Sequence, residues 1–335
     1  MIRLIGVELT RLRWRRAVLL MLAAMLVVPV VIAVIALVDQ QPLGPDAYAQ
    51  AEQQAAEEAK QPYVQEGLQA CLDDPVDFGV APGEDAEQVC RDYNVPTADQ
   101  FLDYNPLDLA QARDDSGLAV AVIVGLIALL VGTTFAGHDW NTGSMSNQLL
   151  FETRRVRVWS AKAVAVVLVT GVVAAIGSTV FWLMIAARFW LDDLVIPDGV
   201  LLDSLQQGWR GAGVAALGAL GGFALTMLSR STVFTLGVLF GVSVAGGILI
   251  SLLVDDPGWI DPTVNAAAVI EDGKLYYVDV PESCYADASG SYATSDSDCF
   301  GEKTRSLGDG LIYLGLLSAA ISGASVASYR RRDVP

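Results

Sequence analysis

The chain has 335 residues, of which 53% are hydrophobic, a mean hydropathy of +0.45 and a formal net charge of −17. A soluble globular protein of this length needs more polar residues to cover its surface, so the composition argues against that class and favours a polytopic membrane protein. The charge is distributed unevenly, because 13 of the 21 basic residues but only four of the 38 acidic residues fall in four short segments, 1–16, 137–162, 229–232 and 330–335. Short basic segments beside membrane spans stay in the cytosol, so we predict that these four are cytosolic and that the acidic segments lie outside.

Residues 1–16 predict a basic amphipathic helix. Ile2, Ile5, Leu9 and Leu12 recur at helical spacing, and the arginines lie largely off that face. A signal peptide is the competing interpretation, but the apolar run that follows is long enough to span and lacks a small-residue cleavage site. We therefore expect a cytosolic amphipathic elbow helix on the inner membrane surface, leading into the first span.

Six apolar runs predict six transmembrane helices, since each approaches the ~20 residues that cross a hydrocarbon core. The predicted spans are 17–38, 118–136, 163–187, 211–228, 233–254 and 310–329. Six crossings return the tail 330–335 to the cytosol, in agreement with its arginines. The pairs Gly218/Gly222 and Gly237/Gly241 have the spacing that lets helices approach closely, and we favour packing within the chain over a dimer contact.

Three segments are predicted to lie outside: an acidic domain at 39–117, an interfacial loop at 188–210 and a second large loop at 255–309. In the first, Tyr48 to Leu72 reads as one helix. Each large loop contains two of the four cysteines, and disulfides persist outside the cytosol. Three connectivities are possible; we favour the two that stay within one loop, and a zinc site is the alternative, although no histidine is near. The predicted pairs are Cys71–Cys90 and Cys284–Cys299.

The sequence contains no motif for ATP binding, zinc-dependent hydrolysis or a serine nucleophile. We therefore predict no catalytic residue, no metal site and no cofactor in this chain, and an ATP-driven function would need a separate ATPase. The predicted span interiors also contain no ionisable residue, whereas proton- and ion-coupled carriers usually need one.

The polar segment 137–162 separates the second and third predicted spans and contains a candidate short helix. Asn141 or Thr142 can cap it, and Met145, Leu149 and Phe151 give it apolar side chains. Its cations lie near its far end, where the helix dipole favours them. A soluble partner that pushes on such a helix would move both neighbouring spans.

This segment resembles the cytoplasmic loop of ABC-2-type permeases, the membrane subunits of ATP-binding-cassette exporters. That loop reads as an acid, three residues, Gly-Thr, paired leucines, a proline, an arginine and later a lysine. The matching positions are Asp139, Gly143-Ser144, Leu149-Leu150, Arg154-Arg155 and Lys162. The departures are Ser144 for threonine and Glu152-Thr153 where proline is expected. Residues 259–277 are also similar to the family's region before the last span, where short re-entrant helices cap the exit.

The resemblance implies an all-α polytopic fold and a permease subunit that exports an amphipathic or lipid-like substrate. It implies two copies of a cytosolic ATPase that bind ATP and Mg, a second permease copy as homodimer or related heterodimer, and a location in the bacterial plasma membrane, with no nucleic-acid partner. The implied ATPase-coupling residues are Asp139, Gly143, Ser144, Met145, Leu149, Leu150, Phe151, Glu152, Arg154 and Arg155. The implied path residues are Thr133, Thr134, Phe135, Phe234 and Phe240. The alternatives are an extracellular sensor or scaffold without transport activity and, less favoured, a membrane-embedded enzyme.

Overall fold

A computed structural model describes residues 1–39, 45–75, 78, 85–101, 109–191, 196–254, 256–278 and 301–332. These residues are largely helical and include one two-stranded sheet. Six helices among them are long and apolar enough to cross a membrane, which confirms the predicted number of spans and the multi-pass character. Met1–Val34 and Leu109–Pro335 form one compact unit, and Ile35–Asp108 forms another.

Helix α1 (Ile2–Trp14) is separated from α2 (Arg16–Asp39) by Arg15, whose backbone is extended. The predicted separation of an N-terminal helix from the first span is therefore present. Its buried side chains are Glu8 and Leu12, whereas Ile2 is exposed. Because an acidic residue rather than the whole predicted apolar face is buried, the location of α1 on a membrane surface stays a prediction.

The unit Ile35–Asp108 contains three short helices after α2. They are α3 (Pro45–Glu58), α4 (Pro62–Asp73) and α5 (Ala86–Asn94). The single helix predicted from Tyr48 to Leu72 is wrong, because Pro62, which has no N–H to donate, begins a new helix. The predicted Cys71–Cys90 disulfide is confirmed; it joins α4 to α5, and both cysteines are buried.

The other unit contains the remaining long helices. In chain order the elements are α6 (Leu109–Ala112), a π-helical turn at Arg113–Gly117, α7 (Leu118–Asn141), α8 (Ser144–Phe151), α9 (Arg155–Leu191), α10 (Val200–Ser229), α11 (Thr232–Gly241), a π-helical turn at Val242–Gly246, α12 (Gly247–Leu253), α13 (Pro262–Glu271) and α14 (Leu307–Arg331). Several spans are longer than predicted. Most of the predicted interfacial loop 188–210 is helical, since α9 and α10 continue into it, and residues 192–195 lie outside the described part.

Helices α7 and α10 are in close backbone contact. A Cβ added at Gly132 of α7 would overlap the carbonyl oxygen of Ala219, and one added at Gly222 of α10 would overlap that of Leu129. Gly218 also lies near Gly125 of α7, so the small residues of α10 pack within the chain as predicted. By contrast, a Cβ at Gly237 or Gly241 of α11 meets no atom within 4 Å, so the same expectation is wrong for α11 in the described chain.

The segment between α12 and α14 contains α13 and a small sheet, so the all-α prediction is wrong here. Strands β1 (Lys274–Tyr277) and β2 (Glu302–Arg305) pair in antiparallel register, with Tyr276 opposite Lys303. The sheet ties the end of α13 to the start of α14, and Asp261 caps α13 through the backbone N–H of Thr263. Cys284 and Cys299 fall at 279–300, outside the described residues, so their pairing stays a prediction.

Candidate functional site

Three helices share a buried cluster of charges. The ammonium group of Lys162 lies 2.9 Å from a carboxylate oxygen of Glu8 and 2.6 Å from one of Asp139. The guanidinium group of Arg15 pairs with the other oxygen of Asp139. The side chains of Glu8, Asp139 and Lys162 are fully buried. Two carboxylates thus face two cations, so the cluster is close to neutral.

The cluster connects α1, α7 and α9, which contribute Glu8, Asp139 and Lys162 respectively. Arg15, in the break between α1 and α2, also donates to the carbonyl oxygen of Phe135 and lies over its ring. Breaking a buried ion pair leaves an uncompensated charge and costs about 3–5 kcal/mol, so the three helix ends are strongly held in this arrangement.

Helix α8 is attached to the same cluster. The hydroxyl of Ser144 donates to Asp139 over 2.6 Å, and the side-chain amide of Gln148 donates to Glu8 over 2.6 Å. Arg11 in turn donates to the oxygen of Gln148 over 3.0 Å. Both α8 residues face the cluster because they are four positions apart, on one side of a helix. The polar face of α8 is therefore fixed to α1 and α7.

The predicted helix caps are wrong. Asn141 is the last residue of α7, and Thr142 follows α7 with its hydroxyl donating to the carbonyl oxygen of His138. The residue before α8 is Gly143, whose φ of 68° is in the left-handed region that glycine adopts at little cost. The predicted helix over 139–157 is accordingly three pieces, namely the end of α7, α8 and the start of α9.

The apolar side chains of α8 divide into an inner and an outer group. Met145 is buried, and the hydroxyl of Tyr329 on α14 donates to its sulfur over 3.2 Å. Leu149 is partly buried. Leu150 and Phe151 are 79% and 91% exposed, although both are large and apolar. The free apolar surface of this segment is therefore Leu150-Phe151, at the end of α8.

This arrangement corrects the predicted contacts of the coupling residues. Asp139 was expected to meet basic groups of a partner, but it is buried and paired within the chain. Met145 was expected to supply an apolar contact, but Tyr329 covers it. Glu152 accepts a hydrogen bond from the backbone N–H of Arg154 over 3.2 Å, and Arg155 donates to the carbonyl oxygen of Tyr329 over 3.2 Å.

The predicted path residues are not gathered around one cavity of the described part. Thr133 and Phe135 are buried, the former beside Gly222 and the latter against Phe223 of α10. Thr134 is half-buried, whereas Phe234 and Phe240 of α11 are exposed. Their role in a path stays a prediction.

Sequence reasoning missed Glu8 and Gln148, and it treated Lys162 as a topological charge. A signal for Glu8 existed, since it is the one acid in a strongly basic segment and lies four residues before Leu12, on the same helical face. The prediction that the span region lacks ionisable groups is also incomplete, because α7 and α9 extend to include Asp139 and Lys162.

Comparison with protein-family models, with curated proteins and with solved structures gives no match for this chain. Assignment to a family therefore rests on the residues and geometry described above.

Proposed function

We propose that this chain is the transmembrane subunit of an ATP-driven exporter of the ABC-2 type, and that a separate ATPase acts on α8. One observation carries the proposal: α8 is fixed by buried polar contacts to α1 and α7 and ends in an exposed Leu150-Phe151 pair. An exposed apolar pair beside a rigidly held polar face suits a docking surface, because large apolar anchors supply most of the binding energy at interfaces.

The buried cluster explains how a movement of α8 would reach the spans. Ser144 and Gln148 hold α8 to Asp139 and Glu8, and Lys162 bridges those two acids. Separating any of these groups would leave a buried charge unpaired, so α1, α7, α8 and α9 would move together rather than slide past one another. Gly143, in its left-handed conformation, separates α7 from α8 and supplies the bend between them.

In this proposal the α8 end of the helices and both chain termini are cytosolic, in a bacterial plasma membrane. Two ATPase chains bind ATP and Mg, and a second permease copy, identical or related, completes the assembly. The exposed Phe234 and Phe240 of α11 leave a face for that second copy or for an amphipathic, lipid-like substrate. The resemblance of residues 139–162 to the permease loop supports the ATPase partner.

The test is co-purification with an ATPase that has a phosphate-binding loop and is encoded beside this chain. Phe151→Asp places a charge where an apolar anchor is expected, and loss of an anchor costs about 2 kcal/mol or more, so recovery of the ATPase should fall roughly thirtyfold. Thr153→Asp is the matched control, because it adds the same charge at an exposed position two residues away.

Both variants must insert in the membrane to the level of the parent chain. Equal recovery of the ATPase with Phe151→Asp and the parent would refute docking at α8. If no such ATPase binds the parent chain, the exporter proposal is wrong, and an extracellular sensor or scaffold becomes the better hypothesis.

A further inference from the structure

A groove lined by arginines lies where α9 begins and α14 ends. It is an open cavity of about 380 Å³, and its lining consists of Arg154, Arg155, Val156, Arg157 and Arg330. Among the described residues, none of these four guanidinium groups forms an ion pair with a carboxylate. The neighbouring acid, Glu152, accepts from the backbone N–H of Arg154 instead. Four uncompensated cations around one space attract an anion.

We propose that this groove binds the phosphate of an anionic membrane phospholipid. Guanidinium groups suit phosphate because their planar N–H donors match two of its oxygens at once. The groove also lies at the first turn of α9, a helix of 37 residues, whose free N–H groups and positive dipole end favour an anion. The arginines and the helix end therefore select the same ligand chemistry.

An apolar stripe beside the groove indicates that the phosphate belongs to a lipid. Val164, Leu168 and Val172 are exposed and follow Arg157 at intervals of seven or four residues, so they lie on one face of α9. A phospholipid with its headgroup in the groove would lay an acyl chain along this stripe. A free phosphate ion has no group to place there, and an acidic protein segment would not extend along a span.

Arg155 gives the groove a structural consequence. It donates to the carbonyl oxygens of Tyr329 and Arg332, at the end of α14. The start of α9 and the end of α14 are therefore already joined, and a bound phosphate would hold them together through Arg157 and Arg330. This inference does not depend on the proposed transport activity, since it concerns a site for membrane lipid on the chain itself.

The experiment compares two variants that lose the same charge. The groove variant replaces Arg154, Arg157 and Arg330 with glutamine and keeps Arg155, because Arg155 has structural hydrogen bonds. The control variant replaces Arg3, Arg13 and Arg16, which are exposed on α1 and at the start of α2, with glutamine. Native mass spectrometry of the full chain in detergent would measure binding of phosphatidylglycerol and, separately, of phosphatidylcholine.

We expect the groove variant to bind phosphatidylglycerol roughly a hundredfold more weakly, since each basic residue near a membrane surface contributes about a fivefold factor. The control variant should bind it within a few-fold of the parent chain. A further variant, Val164→Asn with Leu168→Asn, should weaken phosphatidylglycerol binding and leave inorganic phosphate binding unchanged.

Several results would overturn the proposal. Equal losses in the groove and control variants would mean that only net charge matters. Undiminished lipid binding by the groove variant would place the lipid elsewhere. Inorganic phosphate that competes as well as its lipid-bound form would identify a free-phosphate site. Reduced recovery of a cytosolic protein without any change in lipid binding would identify an acidic protein as the ligand.

Discussion

Helices α7, α9 and α10 are packed closely, whereas α11, α12 and α14 are sparsely covered. In the most apolar stretch of α10, 56% of the residues are buried, compared with 6% in the stretch that covers α11. Both stretches are strongly apolar and both contain glycines four residues apart. Hydrophobicity and glycine spacing therefore do not decide which helices of this chain come together.

The difference follows from what drives helix association in lipid. An apolar side chain gains little by leaving lipid for protein, so close packing depends on small residues that face each other and on polar groups that need partners. The packed helices have both, namely Gly132 and Gly222 at the α7–α10 contact and Asp139 and Lys162 between α7 and α9. The glycines of α11 face no other part of the described chain.

The sparse helices are held mainly beyond their apolar stretches. Asp256, just after α12, accepts hydrogen bonds from Lys303 over 2.9 Å and from Tyr276 over 3.0 Å. The hydroxyl of Tyr313 on α14 donates to the carbonyl oxygen of Ile260 over 2.8 Å. At the other end, Trp159 of α9 donates to the hydroxyl of Ser325 on α14 over 3.1 Å. A few polar contacts thus replace continuous packing.

The largest effect should come from removing the cation of the buried cluster. Lys162→Met keeps a long side chain but leaves Glu8 and Asp139 without their shared partner, and the expected loss is about 3–5 kcal/mol in the free energy of unfolding. Denaturation in mixed micelles would measure it. Arg157→Met on the same helix is the control, and as an exposed substitution it should change stability by no more than about 0.5 kcal/mol.

A double substitution sharpens this test. If the loss arises from unpaired carboxylates, Glu8→Gln should recover part of the stability of Lys162→Met, and the two changes should be non-additive. Equal stability of Lys162→Met and Arg157→Met would contradict the assignment of a buried cluster to the packed helices.

An intermediate effect should come from adding a methyl group at the closest backbone contact. Gly132→Ala places a Cβ against the carbonyl oxygen of Ala219, which cannot move without shifting α10, so the expected cost is roughly 1–3 kcal/mol. Gly241→Ala on α11 meets no atom within 4 Å and should be neutral or slightly stabilising, since alanine favours helix over glycine by about 1 kcal/mol. Equal losses for both variants would show that α11 is covered as closely as α7, for instance by a second copy.

The same contrast explains how much of the fold the sequence could predict. The number of spans follows from runs of apolar residues, and the Cys71–Cys90 pair follows from two cysteines close together in one loop. Which helices touch could not be predicted, because Gly218/Gly222 and Gly237/Gly241 have identical spacing and only the first pair faces another helix. The strands β1 and β2 were missed because four-residue strands far apart in sequence leave no periodic signal.

For the candidate site, prediction worked for the segment and failed for its interior. The composition of residues 137–162 located a short helix between two spans. Charged residues were read as surface groups, because isolated Lys and Asp are rarely fully buried. Asp139 and Lys162 violate that expectation jointly, since each supplies the partner the other needs, and such pairing across 23 residues cannot be read from either residue alone.

The smallest effect concerns the polar contacts that hold the sparse helices. The hydrogen bond from Lys303, supported by Tyr276, holds the pKa of Asp256 below its usual value. A carboxylate whose pKa is lowered on folding stabilises the folded state above its unfolded-state pKa, and this contribution is lost as the pH falls through the lower folded-state pKa. The β1–β2 hairpin should therefore loosen below about pH 4, where carboxylates become protonated.

The side chain of Asp256 is partly exposed, so its contribution is that of a surface ion pair, about 0–1 kcal/mol, or up to about fivefold in the protection of the β1 and β2 amides from hydrogen exchange. Asp256→Asn should reduce this protection at neutral pH and abolish its fall in acid. Glu302→Gln, an exposed neutralisation on β2, should leave both unchanged. If Asp256→Asn keeps the acid response of the parent chain, another carboxylate controls the hairpin, and the link between α12 and α14 does not run through Asp256. A loss confined to β1 and β2, with α7 and α10 still protected, would instead show that the two groups of helices open independently.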